Sequence, residues 1–180
     1  MVRIITGKYR GKKIIPPKNL PVRPTTDMAK ESLFNILQNS IDLNGLQVLD
    51  LFAGTGSISY EFISRGASKV VAVDSNRQCV RFIQQTAEKL SCADLLKAVK
   101  SDAYQYFEQS VQKFDVVFCD PPYDNDELSD WLMKVLISKK ETFKIMVVEH
   151  ESNKDLSSFE GYTDHRKYGS VNFSFFKSEI

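Results

Sequence analysis

Gln47-Val48-Leu49-Asp50-Leu51-Phe52-Ala53-Gly54-Thr55-Gly56-Ser57 is the stretch on which the reading of this chain turns. Its first six residues form a mainly apolar run with one internal acid, as a strand buried in a parallel sheet would. A turn of small residues follows, and Ile58-Ser59-Tyr60-Glu61-Phe62-Ile63 then reads as a helix. Glycines at 54 and 56 let a ligand approach the backbone closely, and the start of the helix presents N–H groups to a polar ligand. A Gly-x-Gly by itself carries little weight. Between a strand and a helix it has the context that a nucleotide-binding turn requires.

Downstream, the same alternation repeats. Lys69-Val70-Val71-Ala72-Val73-Asp74 is a second buried strand, and its terminal acid lies eighteen positions after Gly56. An acid there, with Ser75 next to it, is placed to accept the hydroxyls of a ribose. Asp74 is equally suited to cap the helix that starts near Asn76 and runs through Cys79, Val80, Phe82, Ile83 and Ala87. Leu95 to Val99 makes a third strand. It leads to Ser101-Asp102-Ala103, where Asp102 is placed to accept from the amino group of an adenine.

Phe114-Asp115-Val116-Val117-Phe118-Cys119 is a fourth strand, stopped at Asp120-Pro121-Pro122-Tyr123. Consecutive prolines supply no N–H and have fixed φ, so the segment is stiff and its carbonyls are left to accept. One carboxylate, free carbonyls and an aromatic ring are the groups that hold a planar base through its exocyclic amine. A plain strand-to-turn transition is the competing reading. Asp124, Asp126, Glu127 and Asp130 then open a helix containing Trp131, Leu132, Val135 and Leu136; acids there complement the helix dipole. Lys144 to Glu149 forms a fifth strand. Tyr162 to Tyr168 and Ser170 to Lys177 read as a hairpin with one wet face, since Val171, Phe173 and Phe175 alternate with polar residues.

Upstream, Val2-Arg3-Ile4-Ile5-Thr6 and Lys12-Lys13-Ile14-Ile15 flank Gly7-Lys8-Tyr9-Arg10-Gly11 and read as a small hairpin with Tyr9 near its tip. Through residue 26 the chain carries Arg3, Lys8, Arg10, Lys12, Lys13, Lys18 and Arg23 but no acid, so the net charge of +1 hides a basic arm on an acidic body. Such an arm meets phosphates locally, and Tyr9 among the cations is expected to stack on a base. A merely solvated hairpin is the alternative. Pro16-Pro17 and Pro21 link it to Arg23-Pro24-Thr25-Thr26-Asp27. There Thr25, Thr26 or Asp27 caps a helix with apolar positions Met28, Leu33, Phe34, Ile36 and Leu37, and Arg23 and Thr25 are candidates to face a substrate backbone.

Composition sets the outer bounds. At 180 residues, 42% hydrophobic and 26% charged, the chain fits one soluble domain with a small appendage, 1–24 as arm and 25–180 as body. No apolar run is long enough to span a bilayer, and Met1 to Ile5 lacks a signal-peptide core, so a cytoplasmic protein is expected. Cys79, Cys92 and Cys119 lack metal-site spacing and read as reduced, packed thiols; His150 and His165 stand far apart, so no metal is expected.

Taken together, Arg3 to Gly11, Arg23-Pro24-Thr25-Thr26 with Glu31 and Leu33-Phe34-Asn35, Asp50 to Gly56, Ser64-Arg65-Gly66-Ala67 and Asp120 to Tyr123 resemble the RsmD-type bacterial methyltransferases. These are class I S-adenosylmethionine-dependent enzymes that modify a guanine N2 in small-subunit 16S ribosomal RNA. The resemblance runs nearly end to end, and Tyr123 departs from the family's usual Phe while keeping an aromatic ring. It implies an α/β fold: a seven-stranded, mostly parallel Rossmann-like sheet with helices on both faces, an antiparallel C-terminal hairpin and a basic N-terminal hairpin. It implies S-adenosylmethionine as cofactor and S-adenosylhomocysteine as product, with Gly54 and Gly56 beneath the methionine part, Ala53 and Thr55 in the same loop, Asp74 and Ser75 at the ribose, and Asp102 and Ala103 at the adenine. Asp50 would order the loop. Asp120, Pro121, Pro122 and Tyr123 would hold the target base, and ribosomal RNA or an assembling small subunit would be the partner of a monomer. An adenine-N6 methyltransferase of DNA or RNA shares the Asp-Pro-Pro-Tyr chemistry. A dinucleotide oxidoreductase and a non-catalytic RNA-binding module are further alternatives, and the first of these leaves Asp120 to Tyr123 without a role.

Overall fold

In the computed structural model, which describes residues 1–18, 20, 25–122, 127–151 and 153–178, two sheets form. The smaller is the N-terminal hairpin, β1 (Val2–Arg3) and β2 (Lys13–Ile14), antiparallel with Val2 opposite Ile14. The larger holds β3 (Gln47–Leu51), β4 (Lys69–Asp74), β5 (Leu96–Lys100), β6 (Phe114–Cys119), β7 (Phe143–His150), β8 (Tyr162–Tyr168) and β9 (Val171–Lys177). Its order is β5-β4-β3-β6-β7-β9-β8, parallel as far as β7 and antiparallel at the β9 and β8 edge. The strands therefore follow the sequence reading with end shifts of a residue or so, except the first, expected to reach Thr6, which stops at Arg3. No helix among the described residues is long and apolar enough to cross a membrane.

Connections from β3 run outward one way to β4 and β5, and the other way from β6 to β7. The chain reverses its winding between β3 and β6, and in such sheets a crevice opens there, beyond the carboxyl ends of the strands.

Strand alternation sorts the core into two layers. Val48, Val70, Ala72, Val116, Phe118, Ile145 and Val147 pack on one face, whereas Leu49, Leu51, Val71, Val73, Val117, Cys119, Met146 and Val148 pack on the other. The first face is covered by α1 (Asp27–Ser40), α2 (Ser57–Ser64) and α3 (Arg77–Lys89). The second is covered by α4 (Ala103–Gln109) and α5 (Glu127–Ser138), where Trp131 lies 4.8 Å from Tyr104 and 5.8 Å from Phe107 between ring centroids.

Helix α1 begins at Thr26, whose hydroxyl accepts from Ala29 N at 3.2 Å. Its buried face is Ala29, Lys30, Leu33, Phe34 and Leu37. Met28, expected inside, is exposed: the stripe through 29, 33 and 37 takes the core and turns position 28 outward. In its place Lys30 is fully buried, its Nζ donating to the Arg3 carbonyl and, at 3.1 Å, to Ser57 Oγ. Burial lowers its pKa, opposed by the nearby Glu61 charge.

The arm is fastened to the body. Val2, Ile4, Tyr9 and Ile14 belong to the same core as Leu33, Phe34 and Phe62. Glu61, fully buried on α2, accepts from Ile5 N at 2.8 Å and Thr6 N at 3.0 Å, and also from Arg65 Nε at 2.8 Å. Lys8 N donates to the Ser64 carbonyl at 2.7 Å, and Tyr9 N to Ser64 Oγ at 3.0 Å. The approach is so close that a Cβ on Gly7, at φ +86°, would fall 1.8 Å from the Ser64 carbonyl oxygen. All eight residues of α2 are buried as a result, polar ones included, because the arm covers the side that would otherwise meet water.

Tyr9, expected to stack on a base, is drawn into the core by these contacts. It is 5% exposed, with Lys8 and Lys12 ammonium groups each 5.3 Å from its ring centroid. Its ring packs into the core instead of presenting a face to a base, while the basic side chains of Arg3, Lys8, Arg10, Lys12 and Lys13 are all exposed on the hairpin.

Candidate functional site

A cavity of about 470 Å³ opens at the predicted crevice. Its floor is the turn after β3. Phe52, leaving the strand, has φ +60°, unusual for a bulky residue, and turns the chain sharply toward Gly54 and Gly56 at φ +54° and +77°. A Cβ on Gly56 would stand 2.7 Å from the Tyr60 ring, so glycine is required there for packing as well as for conformation. Gly56 is the N-cap of α2 and supplies no side-chain cap. Ala53, Gly54, Thr55 and Ser57 line the cavity; Gly56 shapes the turn from beneath.

The walls carry acids. Asp50, Asp74, Asp120 and Glu149 come from the ends of β3, β4, β6 and β7, and all four line the cavity. Alternation explains their convergence: each lies two residues beyond a side chain of the first core face, namely Val48, Ala72, Phe118 and Val147. Among the described residues no lysine, arginine or histidine lines the cavity.

Each acid is held differently. Asp50 is 1% exposed and its Oδ2 accepts from Ser59 N at 3.1 Å and Ser59 Oγ at 2.5 Å. Burial pushes its pKa up to about 7 against those hydrogen bonds, and Asp74 adds to the rise. Asp74 accepts from Gly54 N through Oδ2 and from Asn76 N through Oδ1, both at 2.8 Å. It thereby ties the glycine turn to the start of α3, whose cap is Asn76. Each of its oxygens keeps a second lone pair. Asp120 is half-buried, and its N–H points to the Leu51 carbonyl at 3.4 Å. Its carboxyl pKa is raised well above the ordinary range by burial, then by the charges of Glu149 and Asp50.

Pro121 is buried and Pro122 exposed at the cavity rim, with Thr25 and Thr26 from the arm side, Ser170 from the turn between β8 and β9, and Val171 from the start of β9. Tyr123 and Arg23, the expected base-stacking and backbone-facing residues, lie outside the described residues. Ser75 lines the cavity as expected. Asp102 and Ala103 do not: Asp102 is exposed and accepts from Gln105 N at 2.9 Å as the cap of α4. Helix α4 is not evident in the sequence, and it gives Asp102 that occupation. Cys119 points to the opposite core face, and burial raises its thiol pKa well above the ordinary value, so it is a packing residue.

In the sequence Glu149 stands only as the end of a strand. The signal that marks it is the one that marks Asp74, an acid closing an apolar run, here Ile145-Met146-Val147-Val148.

A cavity with four acids and no basic side chain among the described residues fits a ligand that carries positive charge, and Asp74 beside the glycine turn fits a ribose. The sequence model of the family described as Conserved hypothetical protein 95 matches residues 2–177. Ribosomal RNA small subunit methyltransferase D of Haemophilus influenzae is 31% identical over 167 residues, covering 90% of this chain and 85% of that protein. The solved structure of yhhF from Escherichia coli superposes with a TM-score of 0.82 at 26% identity, covering 99% of this chain and 98% of that one. An RNA methyltransferase from Salinibacter ruber, solved in complex with S-adenosyl-L-homocysteine, shares the fold at 15% identity, with a TM-score of 0.66 and coverage of 88% and 96%.

Proposed function

The chain belongs to the Conserved hypothetical protein 95 family, that of the RsmD-type methyltransferases, and from this membership and the acidic cavity we propose that it transfers a methyl group from S-adenosylmethionine to the N2 amine of a guanine in small-subunit ribosomal RNA. The observation that carries the reading is the placement of Asp120, Pro121 and Pro122 on the wall of the same cavity as Asp50, Gly54 and Asp74. Cofactor-binding and amine-binding groups thus face one space.

The cofactor supplies an activated methyl on a sulfonium sulfur. Asp74 would hold its ribose hydroxyls with the lone pairs not used by Gly54 N and Asn76 N, and Asp50 and the Gly54 turn would hold its methionine end. Its two cationic centres suit a cavity whose described charged side chains are all acidic.

The exocyclic amine of guanine is a poor nucleophile because its lone pair is delocalised into the ring. The Asp120 carboxylate and the Pro121 carbonyl accept its N–H bonds and fix the nitrogen where its lone pair can meet the methyl. Alignment of this kind contributes about 7 to 11 kcal/mol in favourable cases. The nitrogen sheds a proton as it gains the methyl, and Asp120 in its ionised form receives it; burial, Glu149 and Asp50 favour the neutral acid, and a sulfonium charge bound in the same cavity would favour the anion. Tyr123 would stack on the base once it has left its helical stack, which costs a few kcal/mol if it was paired.

Cofactor class and RNA contact are tested separately. S-adenosylhomocysteine should raise the melting temperature while NAD leaves it unchanged, since a ligand at about 100 times its Kd adds about 2.7 kcal/mol of stability. The opposite pattern would make the glycine turn a dinucleotide site. Reversing Arg10 and Lys13 to Glu should weaken RNA binding and flatten its dependence on salt, by about 1 in log–log slope for each phosphate that is no longer neutralised. An unaltered slope would mean that the arm is simply solvated.

A further inference from the structure

Glu149 is 4% exposed, yet it lines the cavity beside Asp120. Strands β6 and β7 are parallel, with Cys119 opposite Val148, so one step further along both strands Asp120 stands next to Glu149. The two carboxyl groups lie on the same face of the sheet, and the Glu149 charge raises the pKa of Asp120. On its other side Glu149 is opposite Phe173 of β9, an apolar neighbour buried in the core. Two carboxyl groups held side by side do not ionise together at little cost, so the pair keeps a proton until a ligand that brings two donors to it favours the doubly ionised form.

An exocyclic amine alone needs only the acceptors already assigned, Asp120 and the Pro121 carbonyl. Guanine presents another donor on the same edge, the ring N1–H next to the N2 amine. Adenine presents an acceptor at the ring nitrogen next to its amine. A pair of adjacent carboxylates matches two adjacent donors and opposes a donor–acceptor pair.

We propose that Glu149 accepts the N1–H of the target guanine while Asp120 accepts from N2, so that Glu149 is the residue by which the site selects guanine over adenine. The inference rests on the guanine-N2 reading above. It assigns Glu149 to reading the base and leaves the proton transfer to Asp120.

The test uses small ribosomal subunits reconstituted with 16S RNA that carries either guanine or 2,6-diaminopurine at the position methylated by the wild-type enzyme. Diaminopurine keeps the 2-amino group but has an acceptor at N1. Wild-type enzyme should prefer guanine by about a hundredfold or more in kcat/KM, because a site built for a donor rejects an analogue lacking it. Glu149→Gln can donate to N1 of diaminopurine through its amide nitrogen and still accept from guanine through its amide oxygen, so it should gain activity on diaminopurine relative to wild type. The preference should fall by about a hundredfold, with S-adenosylhomocysteine affinity within about threefold as the control for folding.

Equal use of both bases by wild type would overturn the inference whatever the variant does. So would a Glu149→Gln enzyme that binds S-adenosylhomocysteine normally and keeps the wild-type preference. If wild type methylates subunits at a base other than guanine, the guanine-N2 reading fails first and this inference falls with it. A guanine-N2 product combined with an unchanged preference defeats the inference alone.

Discussion

Asp120→Ala should lower the rate of methyl transfer by about a hundred- to a thousandfold, the usual consequence of removing one preorganised polar group from a reacting centre. S-adenosylhomocysteine affinity should remain within a few fold, because the groups assigned to the cofactor are on other strands: Asp50 on β3 is tied to Ser59, and Asp74 on β4 to Gly54 and Asn76. The rate is read in single-turnover assays and the affinity by calorimetry. Asp120→Asn should be the milder change, since its amide oxygen still accepts one N–H but no longer takes a proton. Full methylation by Asp120→Ala would remove the carboxylate from the mechanism. A parallel loss of cofactor binding would make Asp120 a structural residue of the cavity.

Glu61→Ala should destabilise the protein by about 3 to 5 kcal/mol, measured by urea unfolding. Glu61 is fully buried and its ion pair with Arg65, whose side chain is 4% exposed, would lose one member. Removing one partner from a buried pair strands the other charge, and that is the expensive case. The same substitution frees Ile5 N and Thr6 N from their acceptor, so the arm should loosen and RNA affinity should fall alongside stability. A loss below about 1 kcal/mol would show that water or a neighbouring group takes over the role.

The sheet is legible in the sequence because its strands are written in short apolar runs closed by acids, glycines or prolines, and the order of alternation with helices leaves few topologies. Asp74 and Asp120 are legible for the same reason, and Asp50 as the single acid inside the run that leads to the glycine turn. The departures have specific physical causes. Tyr9 is flanked by cations in sequence, and nothing local shows that Ser64, more than fifty residues away, accepts from its N–H while Glu61 holds Ile5 and Thr6, so that the hairpin is drawn down onto α2. Met28 sits one step from the true helical stripe, and Lys30 looks like a surface residue until the Arg3 carbonyl and Ser57 appear beside it. Helix α4, Ala103–Gln109, is too short and too mixed to show a period, so Asp102 cannot be recognised as its cap. Glu149 closes an apolar run as Asp74 does, but its place beside Asp120 comes only from the β6–β7 register, which is a long-range fact.

The central claim, that one cavity joins an S-adenosylmethionine site to an amine-binding edge suited to guanine, is tested most directly by product identity. Small ribosomal subunits are incubated with the protein and isotopically labelled S-adenosylmethionine, and the labelled nucleoside is identified by mass spectrometry. N2-methylguanosine is the result the account predicts. Labelled N6-methyladenosine would contradict it, since Asp120 and Pro121 would then be serving an adenine and the acidic pair at the ends of β6 and β7 would have a role other than reading two donors.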